Sequence, residues 1–192
     1  MTVLILGLVL FLGAHSARIF ADNWRSSVRT RYGENVWKGG YSLLSLAGFG
    51  LILWGFGLAR QAPVPLWQPP VAMRHVAALL MLLSFILLVA AYVPKNGLKA
   101  RLHHPMVLAV KVWAFAHLLA NGTLADTVRF GAFLVWAALD FRSSRQRDRA
   151  AGTVYPPGTA AGTATVVVVG ILAWAVFAFW AHGVLIGVRP FG

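Results

Sequence analysis

The 192-residue chain is 59% hydrophobic and 11% charged, with a mean hydropathy of +0.72 and no cysteine. Soluble domains are about 25% charged, so this composition excludes an ordinary water-soluble domain and predicts one domain of several membrane helices over residues 1–192. The lack of cysteine excludes disulfides, thiolate metal sites, covalently attached haem and a cysteine nucleophile. The net charge of +12 lies in short bands between apolar runs, so we expect no nucleic-acid binding.

The first apolar run predicts a helix over residues 2–21. It lacks the positive start of a secretory signal, which favours a retained helix. Phe11, His15, Arg18 and Asp22 follow one another at helical spacing and form a polar stripe on this helix. Because polar groups inside a membrane usually face a protein interior, the stripe indicates a site at His15. Arg18 either joins that site or extends to the lipid headgroups.

The next segments predict helices joined by loops. Residues 22–41 form a first basic band interrupted by glycines, and a second helix over residues 42–59 is rich in small residues that favour close packing. A proline-rich connection at residues 61–70 cannot be helical throughout. A third helix covers residues 75–93, and we interpret His75 at its start as an interfacial residue.

The stretch from Arg101 to Gly122 contains the strongest candidate site. It begins with a basic turn closed by His104-Pro105 and continues as a fourth helix over residues 104–120, with Asn121-Gly122 as the C-cap. Trp113, His117 and Asn121 are spaced by four residues and therefore form one ridge. Lys111 lies on a different face of the same helix.

The last third of the chain predicts two more helices. The fifth covers residues 126–141, where Asp126 and Arg129 are spaced for a structural ion pair. Residues 142–162 form the third basic band and an aperiodic loop, and the sixth helix covers residues 164–186 with His182 near its end.

These segments predict an all-α polytopic bundle of six transmembrane helices. With the N-terminus outside, 11 of the 17 Lys and Arg residues lie in the three cytoplasmic connections. The positive-inside rule therefore favours an N-out/C-out protein of the bacterial inner membrane, in contact with the lipid bilayer.

The histidines favour a porphyrin iron. The chain has six histidines and five carboxylates, whereas zinc or di-iron sites in helical bundles use several carboxylates. His15 and His117 differ in predicted depth by about 8 Å, which helix tilt can close. Depth alone also allows His117 to pair with His75 or His182, and it allows histidines that only satisfy interfaces.

Six separated blocks of the sequence resemble the NnrU family. In chain order they are GAHSAR, WKGGYSLLSL, LLVAAYVPKN, KARLHHPM, WAFAHLLANG and FAFWAHGVLIGV. The resemblance implies an integral inner-membrane protein associated with nitrite and nitric oxide reduction in denitrifying bacteria. Its partners would be the denitrification reductases or their assembly factors.

The NnrU domain is also similar to zeta-carotene isomerase, a haem b membrane enzyme. Its ligand histidines lie in a first-helix HS motif and in an AH motif that follows an RHP turn, which match His15 and His117. The isomerase has a cysteine where this chain has Ala114. The resemblance implies haem b with His15 and His117 as iron ligands.

Around such a haem we expect Trp113 and Asn121 to shape the pocket and Arg18 or Lys111 to pair with propionates. The activity would be redox or isomerase-like, on a small hydrophobic or gaseous ligand. One alternative is a cofactor-free assembly factor. Another is a membrane methyltransferase-like protein that uses the His104-Pro105 turn, through a weaker similarity to that class.

Overall fold

The computed structural model describes residues 1–191, which are all-helical apart from loops and contain no strand, as the sequence predicts. In chain order the helices are α1 (Thr2–His15), α2 (Ala17–Phe20), α3 (Asp22–Tyr32), α4 (Glu34–Ala59), α5 (Ala72–Tyr92), α6 (Gly97–Leu102), α7 (Pro105–Ala120), α8 (Leu124–Ala150), α9 (Ala160–Val176), a π-helical turn (Phe177–Ala181) and α10 (His182–Ile186).

Three helical segments are long and apolar enough to cross a membrane. They are α4, α5 and the continuous run Ala160–Ile186, while α1 and α7 are apolar but shorter. Together these segments give the chain the character of a membrane protein. The six spans and the N-out/C-out orientation remain predictions.

The interpretation of residues 22–41 as a connection broken by Gly33, Gly39 and Gly40 was wrong for the last two glycines. Helix α3 occupies most of this segment, and α4 already begins at Glu34, so Gly39 and Gly40 lie inside a helix. Glu34 contacts Lys38 one turn later at 2.8 Å, a spacing that supports a helix start. The predicted break at Gly33 is confirmed, and its φ of 89° favours glycine.

Other helix limits also differ from prediction, most clearly in the first helix and at the end of α8. The first helix is interrupted at Ser16, so His15 is the last residue of α1 and Arg18 lies in α2. Helix α8 continues to Ala150, so the third basic band is helical and not a loop. The Arg147 guanidinium donates to the hydroxyls of Ser143 at 2.6 Å and Ser144 at 2.7 Å, which stabilises this extension.

Residues 1–67 and 122–140 form one compact unit, in which α1 packs against α4. The helices approach so closely that a Cβ atom on Gly48 would lie 2.6 Å from the backbone nitrogen of Phe11. Gly55 makes an even closer approach to the backbone of Leu4. The interpretation of the small residues as packing residues is therefore confirmed at these two positions.

A second unit comprises residues 68–121 and the described residues from Phe141 onward; α8 begins in the first unit and ends in this one. Here α5 packs against both α7 and α9. The buried Ser84 hydroxyl donates to the carbonyl of Ala109 at 2.8 Å, and the indole of Trp174 donates to the carbonyl of Ala78 at 3.1 Å. These bonds connect α7 and α9 to the same helix, α5.

Candidate functional site

His15 is held at the end of α1 by the preceding helical turn. Its Nδ1 lies 2.7 Å from the carbonyl oxygen of Phe11, and the two rings stack with centroids 4.2 Å apart. Because a carbonyl only accepts, Nδ1 carries the proton. The lone pair of the neutral ring is then on Nε2, the arrangement that metal-ligating histidines commonly use.

Aromatic rings surround the His15 side chain within the first unit. The centroids of Tyr41 and Trp136 lie 5.1 and 6.0 Å from that of His15. Trp136 Nε1 is buried, and no described residue accepts its hydrogen bond. Such a donor normally has a partner, so this position suits an acceptor atom from a bound molecule.

His117 has the same local geometry on α7. Its Nδ1 lies 2.8 Å from the carbonyl oxygen of Trp113, and the ring centroids of the two residues are 5.4 Å apart. The Asn121 amide donates to the carbonyl of His117 at 2.8 Å and caps the helix. The predicted ridge of Trp113, His117 and Asn121 is therefore confirmed as a set of contacting neighbours.

The remaining predicted residues are placed as follows. Arg18 is exposed in α2, whereas Lys111 is half-buried in α7 and makes no hydrogen bond or ion pair with any residue in the described range. His15 and Arg18 belong to the first unit, and the predicted residues of α7 belong to the second.

His75 and His182 lie in surroundings that differ from those of His15 and His117. His75 is exposed at the start of α5, and His182 Nδ1 bonds to the carbonyl of Val188 at 2.6 Å. No three His, Asp or Glu side chains within residues 1–191 are grouped to hold a metal ion by themselves. A haem iron requires only one or two protein ligands, because the porphyrin supplies the others.

The predicted Asp126–Arg129 ion pair is confirmed in the first unit. Its atoms lie 3.4 Å apart, and the guanidinium also stacks 3.5 Å from the Phe56 ring centroid. The Thr123 hydroxyl donates to the Asp126 carboxylate at 2.6 Å. With these partners the pair serves as a helix-start and packing contact.

A polar cluster that the sequence reasoning missed lies in the second unit. His104 Nε2 donates to Asp148 Oδ2 at 2.8 Å, and the Tyr155 hydroxyl donates to the same oxygen at 3.0 Å. The Arg145 guanidinium contacts His103 Nδ1, and the His103 ring lies 4.2 Å from the Tyr155 ring. Asp148 is the one carboxylate within the third basic band, which is the signal that could have identified it.

His103 at this cluster adopts a strained backbone conformation. Its φ is 70° and its ψ is −54°, and the amide of His104 donates to the carbonyl of Leu102 at 2.9 Å. This is a γ-turn with positive φ, which is rare for a residue with a side chain. The surrounding contacts must hold it in place.

The cluster also shifts two ionisation equilibria. Burial opposes the charged form of Asp148, but hydrogen bonds from His104 and Tyr155 outweigh it and leave the pKa of the carboxyl below its ordinary value of 3.8. Burial, followed by the bond to Asp148, raises the pKa of the Tyr155 hydroxyl. The network is therefore built around an ionised carboxylate.

These features define a class: a helical membrane protein with imidazoles fixed on two of its apolar helices. The family model described as NnrU protein matches residues 3–190, and the chain therefore belongs to the NnrU family. Comparison with curated proteins and with solved structures gives no significant match.

Proposed function

We propose that the chain is an inner-membrane protein that supports denitrification and binds haem b through His15 and His117. Membership of the NnrU family supports the link to nitrite and nitric oxide reduction. One observation carries the haem assignment: in both histidines the Nδ1 proton is fixed by the carbonyl four residues earlier, at 2.7 and 2.8 Å. Each ring is thereby oriented with Nε2 as its basic nitrogen.

The donor set suits this cofactor. Neutral imidazoles are the ligands of b-type haem iron, and the apolar helices supply the low-polarity surroundings that tune it. The buried Trp136 N–H offers a hydrogen bond close to His15, and the half-buried Lys111 amine offers a counter-charge for a propionate. Arg18 is the second candidate for that role, and Trp113 and Asn121 would shape the pocket.

Bound haem would supply an iron that exchanges electrons or binds a small gaseous ligand, and an isomerase-like role is the other activity we consider. The protein's own residues orient the two imidazoles, exclude water with aromatic rings and neutralise the propionates. In this proposal the whole chain is one domain of six spans with both termini outside. The basic bands then face the cytoplasm.

The experiment is to purify the protein from cells supplied with iron and record its visible spectrum. The proposal predicts a Soret band in the wild-type protein and its loss in His15→Ala and in His117→Ala. His75→Ala and His182→Ala are matched controls, since these side chains occupy other positions, and should retain the band. A Soret band that survives both ligand substitutions would show that other residues hold the haem.

Two alternatives have distinct signatures. A stable, colourless wild-type protein from the same cells would favour a cofactor-free assembly factor for the reductases. The cluster of His103, His104, Asp148 and Tyr155 next to the His104-Pro105 turn favours a second candidate, a methyltransferase-like protein. Thermal stabilisation by S-adenosylmethionine that is lost in His104→Ala would support that candidate.

A further inference from the structure

An open groove lies in the second unit, where the α5–α6 turn meets the start of α9. Its volume is about 620 Å³. Leu98, Ala164, Val167 and Val168 are among the apolar residues that line it, and Arg101 is the charged residue of the lining. No carboxylate lines the groove, so its chemistry is that of an apolar wall with a single cation.

The backbone beneath the groove is fixed by hydrogen bonds. The amide of Thr159 donates to the carbonyl of Lys95 at 2.7 Å, and the amide of Gly97 donates to the hydroxyl of Thr163 at 2.9 Å. A Cβ atom on Gly158 would overlap the backbone of Gly97, so the two segments lie in direct contact. The groove is therefore preformed and does not require a ligand to assemble it.

Asn96 adds to this rigidity. Its buried side-chain amide donates to the carbonyl of Ala90 at 3.0 Å, while its Oδ1 accepts from the amide of Lys99 at 2.8 Å. The α5–α6 turn is thus tied to both helices that it joins. As a result, Arg101 is presented from a short, anchored helix.

Arg101 is exposed and makes no hydrogen bond or ion pair with any residue between 1 and 191. Together with Lys95 and Lys99 it forms the second basic band of a chain whose net charge is +12. An apolar groove with an unpaired guanidinium at its rim complements an amphipathic molecule with an anionic head. Basic pockets between membrane helices commonly bind the headgroups of anionic lipids.

We propose that this groove binds one anionic phospholipid, with the phosphate at Arg101 and an acyl chain along the α9 wall formed by Ala164, Val167 and Val168. The inference depends on the membrane placement proposed above and is independent of haem. A guanidinium suits this role because its planar fork pairs with phosphate oxygens in a bidentate manner.

The test is native mass spectrometry of the purified full-length protein in detergent with phosphatidylglycerol or phosphatidylcholine of identical acyl chains. The wild-type protein should retain one phosphatidylglycerol per chain in preference to phosphatidylcholine. Arg101→Gln should weaken phosphatidylglycerol retention about fivefold, to the phosphatidylcholine level. Arg74→Gln removes an exposed arginine at the opposite end of α5 and should leave retention unchanged.

A second variant tests the apolar wall without changing charge. Val168 is 56% exposed, so Val168→Trp should fold and narrow the groove, and it should reduce retention of both lipids. Three results would each overturn the proposal. The first is equal phosphatidylglycerol retention in Arg101→Gln and Arg74→Gln, and the second is a wild-type protein that retains both lipids equally. The third is a Val168→Trp variant that changes the oligomeric state but not lipid retention. The Soret band should persist in Arg101→Gln, so a loss of lipid retention in this variant can be distinguished from a loss of haem.

Discussion

The imidazole Nε2 of His104 lies 2.8 Å from the Oδ2 atom of Asp148 and joins the turn before α7 to the last turns of α8. His103 and Tyr155 complete the cluster around the same carboxylate. The His104-Pro105 turn is therefore held by contacts from residues more than 40 positions later in the chain. The contribution of this cluster to stability can therefore be measured without any cofactor.

Asp148→Asn should destabilise the protein at neutral pH and lose its effect in acid. The folded-state pKa of Asp148 is lowered, so the carboxylate contributes stability above its ordinary pKa of 3.8 and loses that contribution as the pH falls through the folded value. Thermal unfolding in detergent at several pH values measures the difference between wild type and variant. Asp22→Asn, which removes a partly exposed i,i+3 pair within α3, should have little effect.

Equal stability of Asp148→Asn and wild type at neutral pH would contradict the role assigned to the cluster. The same holds if the difference between them grows as the pH falls.

His103→Gly should be more stable than His103→Ala by about 1 kcal/mol, because glycine adopts the positive φ of this γ-turn without strain. Both variants lose the contacts to Arg145 and Tyr155, so their difference isolates the backbone conformation. Denaturant unfolding in mild detergent measures it. If the alanine variant were equally stable, the γ-turn would not be present in solution.

Gly48→Ala should destabilise the first unit by roughly 1–3 kcal/mol, because the added methyl group meets the backbone of Phe11 at 2.6 Å. Gly50→Ala is the matched control on the same helix, since open space surrounds its Cβ position. Thermal unfolding compares the two. Phe11 also supports the His15 ring, so we expect Gly48→Ala to lower haem occupancy as well. Equal unfolding temperatures of the two variants would rule out the close α1–α4 approach.

Trp136→Phe should weaken haem binding about fivefold. The stability of the haem-free protein should stay unchanged or rise slightly. The substitution removes a buried N–H without a described partner and keeps an aromatic ring beside His15. Haem titration followed at the Soret maximum measures the affinity. Trp54→Phe, at a residue 61% exposed, serves as the control. An unchanged affinity in Trp136→Phe would mean that the indole does not bond to the cofactor.

Local pattern was enough to predict the helical class, the extended loop with its prolines, and the Trp113–His117–Asn121 ridge, because each depends on neighbours within one or two turns. The Asp126–Arg129 pair was predicted for the same reason. The predicted helix limits were less accurate where an ion pair stabilises a helix that contains glycines. Glu34 and Lys38, ahead of Gly39, are an example.

The Asp148 cluster could not be predicted, because it brings together side chains from a turn, a helix end and a loop that are distant in sequence. Likewise, Tyr41 lies at the end of the first basic band, 26 positions after His15, and only the fold places its ring 5.1 Å from that of His15. The close approach of Gly48 to Phe11 also depends on how two helices meet.

The most direct test of the central proposal is the electron paramagnetic resonance spectrum of the oxidised, purified protein. Ligation by His15 and His117 predicts a low-spin ferric signal that is lost or becomes high-spin in His15→Ala and in His117→Ala, with His75→Ala unchanged. A wild-type protein that folds without iron, or a low-spin signal that persists in both ligand variants, would contradict it.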